Sequence, residues 1–288
     1  MLINNNLFFL LLLSSSILIS RVTSEKNYCR GEFAPTASIC KKFEFDKLTD
    51  NGICTDSSKK SSVDKFHGLK LANCTTFYDI SMLPSEKMHA SAIKKAELIT
   101  NVFENGNTKM GYAAVEKLGD CRGYTCGYIG FTTGTNDAYA VVKEYVRRVP
   151  KAKLRKYLKA LEALTKLPFG DPRRDDTSQL SGFASAWKEA ACKDPNFVQT
   201  QLDVGHSMYL KPALKYAASV HVKSNLGKAI FYDTIIQHGW QYVEPYINIV
   251  RIIQLTGPRK SGESEKSYLL RFLATRQQLM CCYPGSVW

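Results

Sequence analysis

The sequence predicts a mostly α-helical α+β protein in which amphipathic helices surround one small antiparallel sheet. Apolar residues recur at three- and four-residue steps from Met88 onward, which is the period of helices with one buried face. Between Gly119 and Thr135, glycines separate β-prone Tyr, Thr, Ile and Phe residues, as in short strands joined by tight turns. The chain has 288 residues, 44% of them hydrophobic and 23% charged, so it is long and apolar enough to bury a full core.

The first 24 residues have the pattern of a secretory signal peptide. Residues 7–13 form an apolar run, and the small residues Val22 and Ser24 suit cleavage before Glu25. Serines 14 to 16 interrupt the run, which is short for a membrane span. The nine cysteines fit an oxidising compartment, where disulfides persist. We therefore expect an extracellular, secreted protein with no stable membrane insertion.

Residues 25–84 are predicted to form a separate, loop-rich extension stapled by disulfides. They lack a long helical period and contain four cysteines, Cys29, Cys40, Cys54 and Cys74. Asn73 begins an Asn-Cys-Thr sequence that fits the N-glycosylation pattern. The sequence leaves open whether the extension binds carbohydrate or is a structural spacer, and it does not determine the disulfide connectivity.

Residues 85–280 are predicted to form the main domain. Ser85 is a candidate N-cap for its first helix, which Asn105-Gly106-Asn107 ends. After the small sheet, helical periodicity predicts further helices at residues 138–146, 154–164, 183–192, 196–204, 208–222, 226–238 and 265–278. The lysines of the 154–164 helix are interpreted as a solvated face.

The net charge and the motifs that are missing exclude several classes of function. A net charge of +13 suits nucleic acid, an anionic cell surface or a solvated basic exterior. Zinc-finger spacing and an aromatic RNA-binding signature are missing, so no nucleic-acid partner is expected. Walker, HExxH, G-x-S-x-G and Rossmann motifs are also missing, and the five histidines lack metal-ligand spacing. We predict neither a metal nor a cofactor.

Two acids sixteen positions apart stand in different local settings. Glu104 closes the first predicted helix, and Asp120 lies in a glycine-lined turn. Two carboxyl groups facing each other are the equipment of glycoside hydrolysis, in which one protonates the leaving oxygen and the other handles a water or the sugar. Taken singly, each has an ordinary interpretation, as a solvated helix-end acid or as a turn residue capping its own backbone. The C-x4-C spacing of Cys121 and Cys126 would let a disulfide make this turn rigid.

The residues around both acids resemble the chitosanases of glycoside hydrolase family 46. The resemblance is carried by Glu104-Asn105, by residues 116–125 (EKLGDCRGYT) and by residues 130–137 (GFTTGTND), and more thinly by residues 197–203, 231–239 and 268–276. It implies a two-lobed, lysozyme-like fold with the cleft between the lobes. It also implies endo-hydrolysis of β-1,4 links in chitosan with inversion. We expect a monomer whose partner is the polysaccharide.

The resemblance also implies roles for individual residues. Glu104 would be the general acid, Asp120 the general base, and Thr125 would help to hold the attacking water. An inverting pair leaves room for water, so its carboxyl groups stand farther apart than the ~5–5.5 Å of a retaining pair. Glu104 must be protonated when it acts, whereas Asp120 must be ionised. The positions matching sugar subsites are Glu116, Arg122 and Asp137. The positions matching the network that organises the acid are Arg276, Asp203 and Arg259.

The sequence departs from the family pattern in the loop, the turns and the charge. Two residues are missing between Glu104 and the Asp120 turn, and Cys121, Cys126 and Asn136 replace glycines. A basic chain repels the polycation chitosan at long range, although charges beyond a Debye length of ~8–10 Å are screened. Two alternatives stay open: a lysozyme-like hydrolase of bacterial cell walls, which the charge would suit, and a non-catalytic protein that binds chitosan or chitin.

Overall fold

The structure is a computed structural model that describes residues 70–71, 78–81, 83–106, 108–167, 171–240 and 247–282. The predicted signal peptide and nearly all of the predicted extension lie outside these residues. The described part of the extension contains the antiparallel pair β1 (Lys70–Leu71) and β2 (Tyr78–Asp79). The chain divides into two compact units, one made of residues up to Ala96 and from Tyr209 onward, the other of Glu97–Met208.

The elements confirm the predicted α+β class. Helix α1 (Ala90–Asn105) precedes a three-stranded antiparallel sheet of β3 (Val115–Glu116), β4 (Thr125–Cys126) and β5 (Phe131–Thr132), in that spatial order. The helices that follow in the described chain are α2 (Asp137–Arg148), α3 (Leu158–Thr165), α4 (Phe183–Lys193), α5 (Pro195–Gly205), α6 (Lys211–Ser219), α7 (Asn225–His238), α8 (Ile249–Thr256) and α9 (Glu265–Cys282). Short 3₁₀ helices lie at Lys153–Tyr157, Pro172–Asp175 and Ser178–Leu180, and a π turn spans His206–Leu210.

The unit Glu97–Met208 packs around aromatic side chains. The Trp187 ring lies between Phe183 and Phe197, with centroid separations of 5.8 and 4.8 Å, and all three side chains are 0% exposed. The Trp187 indole N–H and the Gln201 amide both donate to the carbonyl oxygen of Tyr112, at 2.9 and 3.0 Å. These bonds tie α4 and α5 to the segment that leads into β3, so the small sheet is held by the helices of its own unit.

The other unit has its own core, built mainly from α6, α7, α8 and α9. The rings of Phe231 and Phe272 stack at a centroid distance of 4.6 Å with an interplanar angle of 14°. Lys228 is only 3% exposed, and its ammonium donates to the carbonyl oxygen of Lys87 at 2.7 Å and contacts the Glu86 carboxylate at 3.3 Å. A buried cation is tolerated here because both partners are in reach.

Three local predictions need correction. Helix α1 begins at Ala90, so Ser85 is not its N-cap; the chain before α1 is instead extended, with the Lys87 carbonyl engaged by Lys228. The helix predicted at residues 208–222 is shorter in the structure. Its first residues belong to the π turn His206–Leu210, and α6 runs from Lys211 to Ser219. Helix α8 was not predicted, because a short apolar run such as IVRIIQLT has the same pattern in a helix and in a buried strand.

Replacing Phe272 by alanine should lower the free energy of unfolding by about 3–5 kcal/mol, because the ring is fully buried against Phe231 and leaves a cavity. Leu270, on the same helix, is 37% exposed, and its change to alanine should alter that free energy by about 0.5 kcal/mol. Denaturant titration of both variants measures the difference. Equal losses would contradict the packing described for α9.

Candidate active site

Glu104 lies in the last turn of α1, as predicted. The helix ends because Gly106 adopts a left-handed φ of 70° and its N–H donates to the carbonyl oxygen of Val102 at 2.9 Å. Such a glycine ending satisfies a carbonyl group of the last turn. Glu104 is exposed, so its carboxyl group is presented at the surface of its unit.

The loop that follows Glu104 is attached to α1 by Asn101. This side chain is 0% exposed, donates its amide N–H to the carbonyl oxygen of Lys109 at 2.7 Å, and accepts the N–H of Gly111 at 2.9 Å. Asn101 precedes Glu104 by three residues, nearly one helical turn. The end of the helix and the chain entering the sheet are therefore joined close to the acid.

Glu104 and Thr125 meet at Gly130. A Cβ at Gly130 would lie 3.5 Å from Oε2 of Glu104 and 3.4 Å from Cγ2 of Thr125. The Thr125 hydroxyl is buried and has no hydrogen-bond partner among the described residues. Buried hydroxyls are normally paired, so Oγ1 of Thr125 leaves a hydrogen bond for a small polar molecule such as water, whereas the Thr125 atom that lies near Gly130 is the methyl carbon Cγ2.

Asp120 lies in a turn whose neighbours adopt left-handed backbone angles. The φ values of Gly119, Cys121 and Gly123 are 72°, 65° and 75°. The carboxylate oxygen Oδ1 of Asp120 accepts the N–H of Arg122 at 3.2 Å, the local turn bond that aspartate commonly forms. This half-buried setting differs from the exposed helix end that carries Glu104.

A second turn, which follows β5, is paired with the Asp120 turn. The N–H of Gly134 donates to the carbonyl oxygen of Arg122 at 2.8 Å, and the N–H of Tyr124 donates to the hydroxyl of Thr133 at 3.0 Å. A Cβ at Gly123 would lie 2.2 Å from that hydroxyl oxygen, so the approach requires glycine. The two turns therefore fix each other's position.

The predicted subsite residues differ in their surroundings. Glu116 is exposed on β3 and pairs with Thr125 across the sheet, and paired residues share one sheet face. Asp137 is 5% exposed, and its Oδ1 accepts the N–H groups of Thr132 and Ala138 at 2.7 and 2.9 Å. Arg122 is half-buried in the turn. Their contact with sugar stays a prediction, and Asp137 in addition holds the start of α2.

Cys121 and Cys126 are free thiols rather than the disulfide that their spacing allowed. Cys121 is exposed in the Asp120 turn, whereas Cys126 is 0% exposed on β4. Burial, with a smaller contribution from the charge of Asp137, raises the pKa of the Cys126 thiol well above its usual value. The turn is held by hydrogen bonds and not by a sulfur bridge.

Alkylation of the native protein should label Cys121 and spare Cys126, since the thiolate is the reactive form and the Cys126 thiol is inaccessible. Peptide mapping by mass spectrometry after iodoacetamide treatment measures both sites. Unfolding in denaturant before labelling is the control, and it should expose Cys126. A Cys121–Cys126 linked peptide from the non-reduced protein would contradict the structure.

Arg276 is buried in the unit that contains α7 and α9, and its acid partner is Asp233. The guanidinium Nη1 lies 2.7 Å from Oδ2 of Asp233, and Nε donates to Nε2 of His238 at 3.0 Å. Burial and the neighbouring Arg276 charge lower the pKa of His238 well below its usual value, so the imidazole is neutral and can accept. Asp233 is not among the predicted site residues, although it lies in the segment 231–239 on which the resemblance partly rests.

Asp203 and Arg259 have other described partners. Asp203 binds Arg148 at 2.7 Å and Gln199 at 2.8 Å. Burial would raise the pKa of Asp203, but these hydrogen bonds outweigh it and the pKa is lowered. Arg259 donates to the carbonyl oxygens of Glu263 and His221 at 2.8 and 2.9 Å. That Asp203, Arg259 and Arg276 organise Glu104 stays a prediction.

Replacing Glu144 by glutamine should reduce the amount by which the free energy of unfolding falls as the pH drops below 4.5. Hydrogen bonds from Arg147 and then Arg148 lower the pKa of Glu144 from 4.5 to about 2. A lowered folded-state pKa contributes stability that is present above pH 4.5 and lost as the pH falls towards 2. Urea unfolding at a series of pH values measures this slope. The control Glu162→Gln, at an exposed pair with a 3.5 Å contact to Lys166, should keep the wild-type slope, and an unchanged slope in Glu144→Gln would contradict the pairing.

The described residues contain neither a group of three or more His, Cys, Asp or Glu side chains suited to a metal nor a helix long and apolar enough to cross a membrane. Acids held in two different settings beside one small sheet are the arrangement expected of a glycoside hydrolase. Residues 98–284 match the family described as Glycosyl hydrolase family 46. The chain belongs to that family, and the mostly helical fold is the lysozyme-like one.

Several relatives support the assignment. The chain is 41% identical over 229 residues to a chitosanase of Bacillus subtilis (strain 168), covering 76% of this chain and 79% of the relative. Among solved structures, a variant chitosanase of Bacillus subtilis MY002 complexed with 6 GlcN is 40% identical, with a TM-score of 0.59 over 67% of this chain and 80% of that one. A GH46 chitosanase of Gynuella sunshinyii with chitotetraose is 30% identical, with a TM-score of 0.60 over 67% and 79%.

Proposed function

We propose that this protein is a secreted, monomeric chitosanase that hydrolyses β-1,4 links within chitosan with inversion. The observation that carries the proposal is the meeting of Glu104 and Thr125 at Gly130, on the sheet that adjoins the Asp120 turn. The chitosanases among its relatives, two of them complexed with glucosamine oligomers or chitotetraose, support chitosan as the substrate.

Glu104 is the general acid in this mechanism and Asp120 the general base. The Glu104 carboxyl donates its proton to the glycosidic oxygen as the bond from that oxygen to the anomeric carbon breaks. Asp120 takes a proton from a water that attacks the opposite face of the same carbon, with the Thr125 hydroxyl holding that water. One displacement inverts the anomeric configuration.

The positive charge of the substrate indicates which side chains contact it. Glucosamine units carry ammonium groups at neutral and acidic pH, and an exposed carboxylate can pair with one by a charge-assisted hydrogen bond. Glu116 is placed for this because it shares a sheet face with Thr125. One oxygen of Asp137 is occupied by backbone N–H groups, so Asp137 contributes through its negative charge. Arg122 would bind sugar hydroxyls.

The net charge of +13 favours a second candidate, a hydrolase of anionic bacterial cell walls, because long-range attraction would concentrate such a substrate. Screening limits this effect to about 8–10 Å at physiological salt, so acids near the cleaved bond determine local binding. Clearing of bacterial suspensions without activity on chitosan would select the cell-wall substrate. Chitosan binding without turnover would indicate a non-catalytic protein.

Replacing Glu104 by glutamine, or Asp120 by asparagine, should lower kcat on highly deacetylated chitosan by about 10²–10⁴-fold, the usual contribution of general acid–base catalysis. Glu162→Gln, at an exposed acid on α3, is the matched control and should keep wild-type kcat. Reducing-end assays measure the rates, and NMR of the first products should show the inverted α-anomer. Wild-type rates in Glu104→Gln, or β-anomer as the first product, would contradict the mechanism.

A further inference from the structure

We infer that Asp175 is a positioning residue for the reaction, because its carboxylate holds the turn that carries Asp120. The N–H of Gly123 donates to Oδ1 of Asp175 at 2.8 Å, across 52 positions of sequence. The inference rests on the proposed function in one respect, the assignment of Asp120 as the base. Asp175 lies outside the motifs that carry the family resemblance.

The Asp120 turn needs support from outside. Residues 119–124 form neither helix nor strand, and three of them have left-handed φ values, including the non-glycine residue Cys121 at 65°. Non-glycine residues persist in that region when their surroundings hold them there. The hydrogen bond from Arg122 to Asp120 is internal to the turn and cannot fix where the turn lies in the unit.

Asp175 can supply that support because its own segment is anchored. It ends the 3₁₀ helix Pro172–Asp175, which Asp171 caps by accepting the N–H of Arg173 at 2.9 Å. The preceding residue, Arg174, is 4% exposed and donates to the carbonyl oxygen of Gly134 at 2.6 Å and to the amide oxygen of Asn136 at 3.0 Å. Arg174 thereby fixes Asp175 to the turn that follows β5.

The segment contacts the Asp120 turn on both sides of the base. Before Asp120, the ammonium of Lys117 donates to the hydroxyl of Thr177 at 3.2 Å. After Asp120, Gly123 binds Asp175. The Lys117 contact is exposed, and an exposed contact between a long, flexible side chain and a hydroxyl constrains little. The hydrogen bond from the Gly123 N–H has the Asp175 carboxylate as its acceptor. Hydrogen bonds to a carboxylate are shorter and stronger than those between neutral groups.

This support matters for catalysis because the attacking water must lie in line with the breaking bond. A displacement of about 1 Å in a catalytic group can cost about 10²-fold in rate. Loss of the Asp175 acceptor would leave the turn held by its bonds to Thr133 and Gly134, and the Asp120 carboxylate would then shift relative to Thr125. Substrate binding through Glu116 on β3 would be unaffected, and only the proposed Arg122 contact lies in the turn, so the loss should fall more on kcat than on KM.

Three single variants test the inference. Asp175→Ala removes the acceptor and should lower kcat by about tenfold or more, with KM within about twofold of wild type. Asp175→Asn keeps an acceptor oxygen and should restore most of kcat. Asp176→Ala is the matched control, because the Asp176 carboxylate accepts from the N–H and hydroxyl of Ser178, at 2.8 and 3.0 Å, within its own short turn; it should leave kcat unchanged.

Wild-type kcat in Asp175→Ala would overturn the inference, as would an equal loss in Asp176→Ala or a loss in Asp175→Asn as large as in Asp175→Ala. Should Asp175→Ala fail to fold by circular dichroism, Asp175→Glu replaces it; the longer side chain keeps the acceptor but displaces it by about one carbon–carbon bond, and an unchanged kcat there would overturn the inference. An active Asp120→Asn would refute the proposed base itself. An inactive Asp120→Asn beside a fully active Asp175→Ala refutes the positioning role alone.

Discussion

The candidate active site depends on the close approach of two turns. Gly123 lies so near the Thr133 hydroxyl that a Cβ would stand 2.2 Å from it, and a Cβ at Gly134 would lie 2.8 Å from the Arg122 carbonyl oxygen. Only glycine permits such an approach. The approach brings the turn that carries Asp120 against the turn that follows β5, and Thr125, the first residue of β4, pairs with Thr132 of β5. Chemistry that needs two acids and a water in fixed positions is thus built on irregular chain, held by backbone hydrogen bonds rather than by a large sheet.

The two acids stand in different surroundings, which suits the separate roles proposed for them. Glu104 stands at an exposed helix end, whereas Asp120 is half-buried in a turn and has one oxygen engaged by the N–H of Arg122. Among the described residues, Lys228 and Arg276 are buried ionic groups with partners in reach. Removing one partner from such a pair is costly, so these pairs stabilise the unit that contains them.

Much of the fold followed from periodicity, because helices with one buried face repeat their apolar residues at a spacing that the sequence displays. The glycine-punctuated run likewise predicted the small sheet. The pattern of glycines also located the turn around Asp120. What the sequence did not reveal was the choice of partners: Arg276 pairs with Asp233, and Gly123 binds Asp175. Each choice depends on tertiary packing between distant segments, which no local pattern records. The disulfide that the Cys121–Cys126 spacing allowed is absent for the same reason, because the Cys126 thiol on β4 is buried in the core whereas Cys121 is exposed.

The most direct test of the central claim, that Glu104 and Asp120 act from opposite faces of the bond that is cleaved, is a crystal structure of the Glu104→Gln variant with a glucosamine hexamer. We expect the residue 104 amide within about 3.2 Å of a glycosidic oxygen, and a water bound to Asp120 and Thr125 on the far side of the anomeric carbon, each at hydrogen-bond distance. A hexamer bound away from Gly130, or an Asp120 carboxylate on the same face of the sugar as residue 104, would contradict the account.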